Sequence, residues 1–231
     1  MNLITPIHQF EVRYSSILDF PNVIGEAIAP YVQLATKLNV DNENSHLQQI
    51  VLNFEQDFYI ITVTWDRLLV QTNGFKKGLN ANNSIVDNPY FDILKKVKEI
   101  SAFGEIKNIL FYSFNINLLD NELDEIKINF DKKYLCDATR NLLPSIEDTG
   151  ITLEHHKDNY EIHLTFGPYI GPEDLKKRKL TIKNPILFED VKKHGEILQF
   201  KYFEECKTVS FAKYKEITEI EQKYLNKLWK K

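Results

Sequence analysis

Two short runs rich in β-branched and aromatic residues, 50–54 and 58–65, stand only three residues apart, and they constrain the fold more than any other feature of the chain. Ile50, Val51, Leu52 and Phe54 form the first; Tyr59, Ile60, Ile61, Val63 and Trp65 mark the second. A link as short as Glu55-Gln56-Asp57 can only join antiparallel neighbours, because a parallel crossover needs a dozen residues or more. The spacing therefore predicts a hairpin. Residues 68–72 add a third strand after a turn at Asp66-Arg67, and Asn73-Gly74 is expected to end it.

Before this hairpin, Ile7, Phe10, Val12 and Tyr14 come close to strict alternation, which predicts a half-buried strand over 6–14. Asp19 and Pro21 then suit a helix start, and Val23, Ile24, Ala27, Ile28, Tyr31, Leu34 and Leu38 recur at helical spacing, with Pro30 as the expected kink. After the hairpin, 75–88 reads as a long loop carrying Lys76, Lys77, Gly78, Asn80, Asn82 and Asn83. Asn88-Pro89 opens a helix with Tyr90, Phe91, Leu94, Val97 and Ile100 on one face, followed by a long strand over 106–117.

The acidic stretch 120–125 divides the chain into an N-terminal half, 1–118, and a C-terminal half, 132–231, which together read as one compact unit. The second half is predicted to hold a helix over 134–143 and a hairpin of 151–156 with 160–166. In the tail, Phe188, Val191, Ile197, Phe200, Phe203 and Cys206 suit a helix, although 198–203 also fits a strand. Thr218 and Glu221 have capping-box spacing and predict the start of a last helix through Ile220, Tyr224, Leu225 and Leu228. The fold class is α+β: antiparallel β-hairpins packed with helices in two similar halves, with a helical C-terminus.

Composition narrows the function. At 231 residues the chain can bury a core without metal or disulfide staples. Its two cysteines, Cys136 and Cys206, lie far apart in apolar surroundings and read as small buried thiols, as in a reducing compartment. No signal-peptide pattern opens the sequence, and no stretch approaches the roughly 20 apolar residues of a membrane-spanning helix, so a cytoplasmic location is expected. The net charge of −4 argues against a broad nucleic-acid surface. The chain lacks a phosphate loop, a dinucleotide fingerprint, His-Glu-x-x-His, Cys-x-x-Cys and the Gly-x-Ser-x-Gly elbow. No catalytic residue and no cofactor is assigned.

The best candidate site is the second hairpin. With Asp158-Asn159 as a two-residue turn, counting along the ladder sets His156 opposite Glu161 and Glu154 opposite His163. One face then carries Leu153, His155, Tyr160, Ile162, Leu164 and Phe166; the other carries Thr152, Glu154, His156, Glu161, His163 and Thr165. Imidazoles beside carboxylates suit a divalent metal or acid–base work, so Glu154, His156, Glu161 and His163 are the candidate metal ligands of a hydrolase or nuclease. The plainer reading is a wet sheet face with cross-strand charge pairs. His163-Leu164-Thr165 matches half of a two-histidine phosphodiesterase signature, but no second such tripeptide exists. Glu-x-Lys steps at Glu105 and Glu125 match the metal strand of some nucleases without a convincing upstream Asp. Lys176, Lys177, Arg178 and Lys179, with Lys183 beyond them, are the candidate nucleic-acid contacts, near the aromatic Phe166 and Tyr169.

Pro6-Ile7, Arg13-Tyr14, Pro89-Tyr90 and Ile217-Thr218, in this order along the chain, resemble features of a sporadically distributed family of bacterial and archaeal proteins of similar length with no established activity. Where that family often carries Arg-Tyr-x-Asn, this chain has Ser113-Phe114-Asn115-Ile116-Asn117 and no arginine. The family's patchy occurrence implies mobile or defence-associated gene neighbourhoods. With the missing catalytic motifs and the aromatic supply, the expectation is a non-enzymatic adaptor or sensor that works with a protein partner or as a homo-oligomer.

Overall fold

The structure, a computed structural model, describes residues 2–55, 59–75, 89–142, 149–177 and 190–229. Its frame is one antiparallel sheet of nine strands: β1 (Asn2–Tyr14), β2 (Lys37–Asp41), β3 (Gln49–Phe54), β4 (Tyr59–Thr64), β5 (Arg67–Phe75), β6 (Ile106–Leu118), β7 (Ile151–Lys157), β8 (Tyr160–Tyr169) and β9 (Gly195–Glu205). The spatial order is β2-β3-β4-β5-β1-β6-β9-β8-β7. The three-stranded meander over β3, β4 and β5 is the one predicted, although β5 runs through Asn73-Gly74 to Phe75 rather than stopping there. Both predicted halves contribute to this single sheet, which is continuous from β6 to β9.

The helices are α1 (Phe20–Val32), α2 (Tyr90–Lys98), α3 (Leu123–Tyr134), α4 (Asp137–Arg140), α5 (Pro172–Lys177) and α6 (Phe211–Trp229). Period-two alternation gives every strand an inner and an outer face. On the inner face Phe10, Val12, Ile61, Val70, Ile109, Phe111 and Phe200 pack against Ile24 and Ile28 of α1, Tyr90 and Val97 of α2, Phe130 of α3 and Tyr214, Ile217 and Leu225 of α6. A smaller cluster covers only one end of the outer face, where Ile7, Phe114, Ile116 and Ile197 meet Tyr169, Leu175 of α5 and Val191. Outside that cluster, outer-face residues such as Val51, Leu69, Leu110 and Phe203 stay partly exposed.

Several expectations change. The first helix stops at Val32, and Leu38 sits in β2 opposite Leu52. Pro30 lies two residues before that end and has no amide to extend the ladder, while Leu38, which fits the helical spacing from Leu34, also alternates with Val40 at period two. The acidic stretch 120–125 runs into α3, whose first turn holds Asp124 and Glu125 where the helix dipole favours anions. The helix expected over 134–143 shrinks to the single turn of α4. Residues 195–205 are a strand in the middle of the second half, because the successive residues Ile197 and Leu198 find apolar partners on opposite faces of the sheet. Cys136 is exposed and Cys206 half-buried; both are free thiols. The loop expected over 75–88 lies, beyond Phe75, outside the described residues.

Thr218 and Glu221 do not start a helix. α6 begins eight residues earlier than the spacing suggested, with the Lys213 amide donating to Ser210 Oγ at 3.3 Å. Thr218 Oγ donates back to the Lys215 carbonyl at 2.9 Å. The separation of three that suggested a cap instead puts both side chains on the buried seam of α6, with Tyr214, Ile217 and Leu225.

Candidate functional site

The second hairpin forms in the predicted register, with Asp158-Asn159 at the turn, Asp158 at φ 46°, His156 opposite Glu161 and Glu154 opposite His163. Ile162, Leu164 and Phe166 are buried on the inner face, which leaves the two histidines and two glutamates together on the outer one. His163 Nδ1 lies 3.3 Å from Glu154 and its Nε2 3.3 Å from Glu161; His156 lies 3.5 Å from Glu161 and 3.8 Å from Glu154. The hydrogen bond from His163, helped by the charge of His156, holds the Glu161 carboxyl below its ordinary range. Each imidazole thus faces one carboxylate across the ribbon and another on its own strand. The four groups close a ring on one another, and no set of three metal-ligating side chains is disposed around an ion among the described residues.

From this ring the outer face continues as rows across the sheet. One row runs His156, Glu161, Phe203, Leu110, Glu11, Leu69, Thr62, Val51. Phe203, Leu110, Leu69 and Val51 are each only half-buried, so the row is an apolar stripe left partly open to water. Glu11 is the buried carboxylate in its middle, paired with Arg13 and 4.0 Å from Arg67. An open concavity of about 250 Å³ is lined by Arg13, Asn108, Leu110, Glu161, Lys201 and Phe203. A second of about 280 Å³ adjoins it, sharing Glu161 and Phe203 and reaching His156 and Tyr160.

No family model matches the chain, and no curated protein does.

Of the basic run, Lys176 pairs with Glu173 at 2.8 Å on the surface of α5 and Lys177 ends that helix; Arg178, Lys179 and Lys183 lie outside the described residues. No helix among the described residues is long and apolar enough to cross a membrane.

The densest polar chemistry lies under α6, at residues that sequence reasoning did not single out as a site. A bulge in β1 between Ile4 and Ile7, around the amide-less Pro6, re-phases the strand so that Thr5 and His8 both turn inward. His8 stands beside Ser113 of β6 in the ladder, and Glu221 of α6 comes down on them. Ser113 Oγ donates to Glu221 Oε1; Asn115 Nδ2 donates to the same oxygen at 3.0 Å; Thr5 Oγ donates to Asn115 at 2.7 Å. The other carboxylate oxygen of Glu221 is 3.7 Å from His8 Nε2, and neither ring nitrogen of His8 has a hydrogen-bond partner among the described residues. Burial drives both groups toward neutrality: the Glu221 carboxyl rises to about 7 against the pull of its two donors, and the His8 imidazole falls to about 3.

Serine, histidine and glutamate are the residue types of a nucleophilic triad, but the hydroxyl here points at the carboxylate rather than at the imidazole. His8, Ser113 and Glu221 are each at most 2% exposed, so the cluster is sealed from solvent. The signal in the sequence was the polar alternation Ser113, Asn115, Asn117 within an otherwise apolar strand.

Proposed function

We propose that the protein is a non-enzymatic interaction component, an adaptor or sensor of a multi-protein system, and that its partner docks on the open outer face around Phe203. The observation that supports this most is the division of the reactive residue types. One set is sealed beneath α6, and the other is spent in mutual ion pairs on a wet sheet face. What the outer face offers is a half-buried apolar stripe, Phe203 with Leu110, edged by Arg13 and Lys201. An apolar centre with a polar rim is the anatomy of a protein-binding patch. The two cations suit a partner segment that presents an acidic side chain beside an apolar one, although the chain as a whole is acidic.

The test is affinity capture from the protein's own cell extract with wild type and a Phe203→Ala/Lys201→Glu variant matched for thermal stability, followed by binding of the purified captured protein. The expected result is a partner held by wild type, weakened by salt and lost in the variant. Equal capture by both forms, or turnover of a substrate by the purified protein, would overturn the reading.

A further inference from the structure

Among the described residues the sheet has two unpaired edges, β2 and β7, and they differ in a way that bears on self-association. An exposed edge strand presents unpaired backbone donors and acceptors, and proteins normally blunt it with charge. β7 is blunted: its exposed run includes Glu154, His155, His156 and Lys157. If two copies paired antiparallel about its centre, Glu154 would meet Glu154. β2 is short but differently built. Its inner face carries Leu38 and Val40, 41% and 39% exposed, and Leu34 just before it is 63% exposed.

The order Lys37-Leu38-Asn39-Val40-Asp41 is complementary to itself when read backwards. Antiparallel pairing with Asn39 on a two-fold axis sets Lys37 against Asp41 at both ends and Leu38 against Val40 twice, and it keeps inner faces on the same side. Shifting the axis to Leu38 sets Lys37 against Asn39 and Thr36 against Val40. Shifting it to Val40 sets Leu38 against Asn42. Only the Asn39 register matches all five residues of the strand. Lys37 has no ion pair among the described residues, while Asp41 accepts a 2.7 Å hydrogen bond from the neutral Gln49.

From this charge and apolar complementarity we infer that the protein forms a two-fold dimer by antiparallel pairing of β2 edges, which joins two nine-stranded sheets into one. The occupant of the edge is a second copy of this chain. The inference is independent of the docking face around Phe203, which lies on the flat of the sheet and not on its edge. A five-residue ribbon with a few apolar side chains is smaller than a standard interface of about 1,600 Å², so the dimer is weak, with a dissociation constant on the order of 10 μM.

Sedimentation velocity over a wide concentration range tests it, with Lys37→Asp, Asp41→Lys and their equimolar mixture beside wild type. Each single variant puts like charges at both ends and is expected to weaken self-association about tenfold or more. In the mixture, one copy carries two acids and the other two lysines, and a heterodimer as tight as the wild-type dimer is expected. Asn39→Cys in a background with Cys136 and Cys206 replaced by serine should cross-link on oxidation, since the axis brings the two positions together. A wild-type monomer throughout, self-association unaffected by either charge reversal, or a mixture no tighter than the single variants would each overturn the proposal. Melting curves matched to wild type confirm that the exposed substitutions leave the fold intact.

Discussion

Replacing Glu221 by glutamine isolates the cost of keeping an ionisable group beneath α6. The amide has the shape of the protonated acid: its oxygen can accept from Ser113 and Asn115, and its nitrogen can donate toward His8. The groups that face the carboxyl are His8 from β1, Ser113 and Asn115 from β6, and Tyr214 on its own helix. Burial lifts the native carboxyl from the ordinary 4.5 to about 7. Between those values the unfolded chain sheds its proton while the native protein keeps it, so stability falls as pH rises through this window and levels off above it. A window of about 2.5 pH units at about 1.4 kcal/mol each amounts to about 3 kcal/mol. Below pH 4.5 the penalty is absent, because both states are protonated.

His8 titrates in the opposite sense: its native value of about 3 lies below the ordinary 6.5, so it removes stability as pH falls from 6.5 toward 3. That contribution is common to wild type and variant and cancels in their difference. Urea unfolding at pH 4 and pH 8 should therefore show near-equal stability at the lower pH. At the higher pH the variant should be more stable by about 3 kcal/mol, or roughly 6–12 °C in melting temperature for a chain of this size. A difference that is flat with pH, or a variant less stable at pH 8, would refute the claim that Glu221 is buried uncharged.

Other substitutions probe the frame that holds this cluster. Phe10→Ala empties a position that is fully buried with its ring 5.2 Å from Tyr214 and 5.7 Å from Tyr90, and the urea midpoint should fall by the equivalent of about 3–5 kcal/mol. Gly195→Ala puts a Cβ 2.2 Å from the Asn117 carbonyl oxygen, a backbone atom that cannot swing aside, so a loss of about 1–3 kcal/mol is expected in the same assay. His156→Ala with His163→Ala removes only solvent-exposed ion pairs and should change stability by less than about 1 kcal/mol, with bound-metal content equal to wild type by elemental analysis. A drop in metal content in that double variant would restore the metal-site reading of the ribbon.

The hairpins were legible because their information is local. Two adjacent period-two runs joined by a turn leave one sensible pairing, and the Asp158-Asn159 turn fixed the register of β7 on β8 down to His156 facing Glu161. The same logic placed the charged ring on one face before any packing was known. Legibility ended where a spacing served two structures. Thr218 and Glu221 obey both a cap and a helix face, and only the sheet lying under α6 selects the second. Leu34 and Leu38 obey a helical repeat, yet β3 offers Leu38 a partner in Leu52 and the chain takes the strand.

The amino-acid order alone thus determined an antiparallel α+β protein with an exposed His/Glu ribbon, because turn chemistry and alternation act within about ten residues. The closing of β6 onto β9, the choice of which sheet face the helices cover, and the meeting of His8, Ser113 and Glu221 were decided by tertiary structure. Those residues are brought together from three distant elements, and a buried carboxyl becomes a neutral acid only once the surrounding layers have excluded water from it.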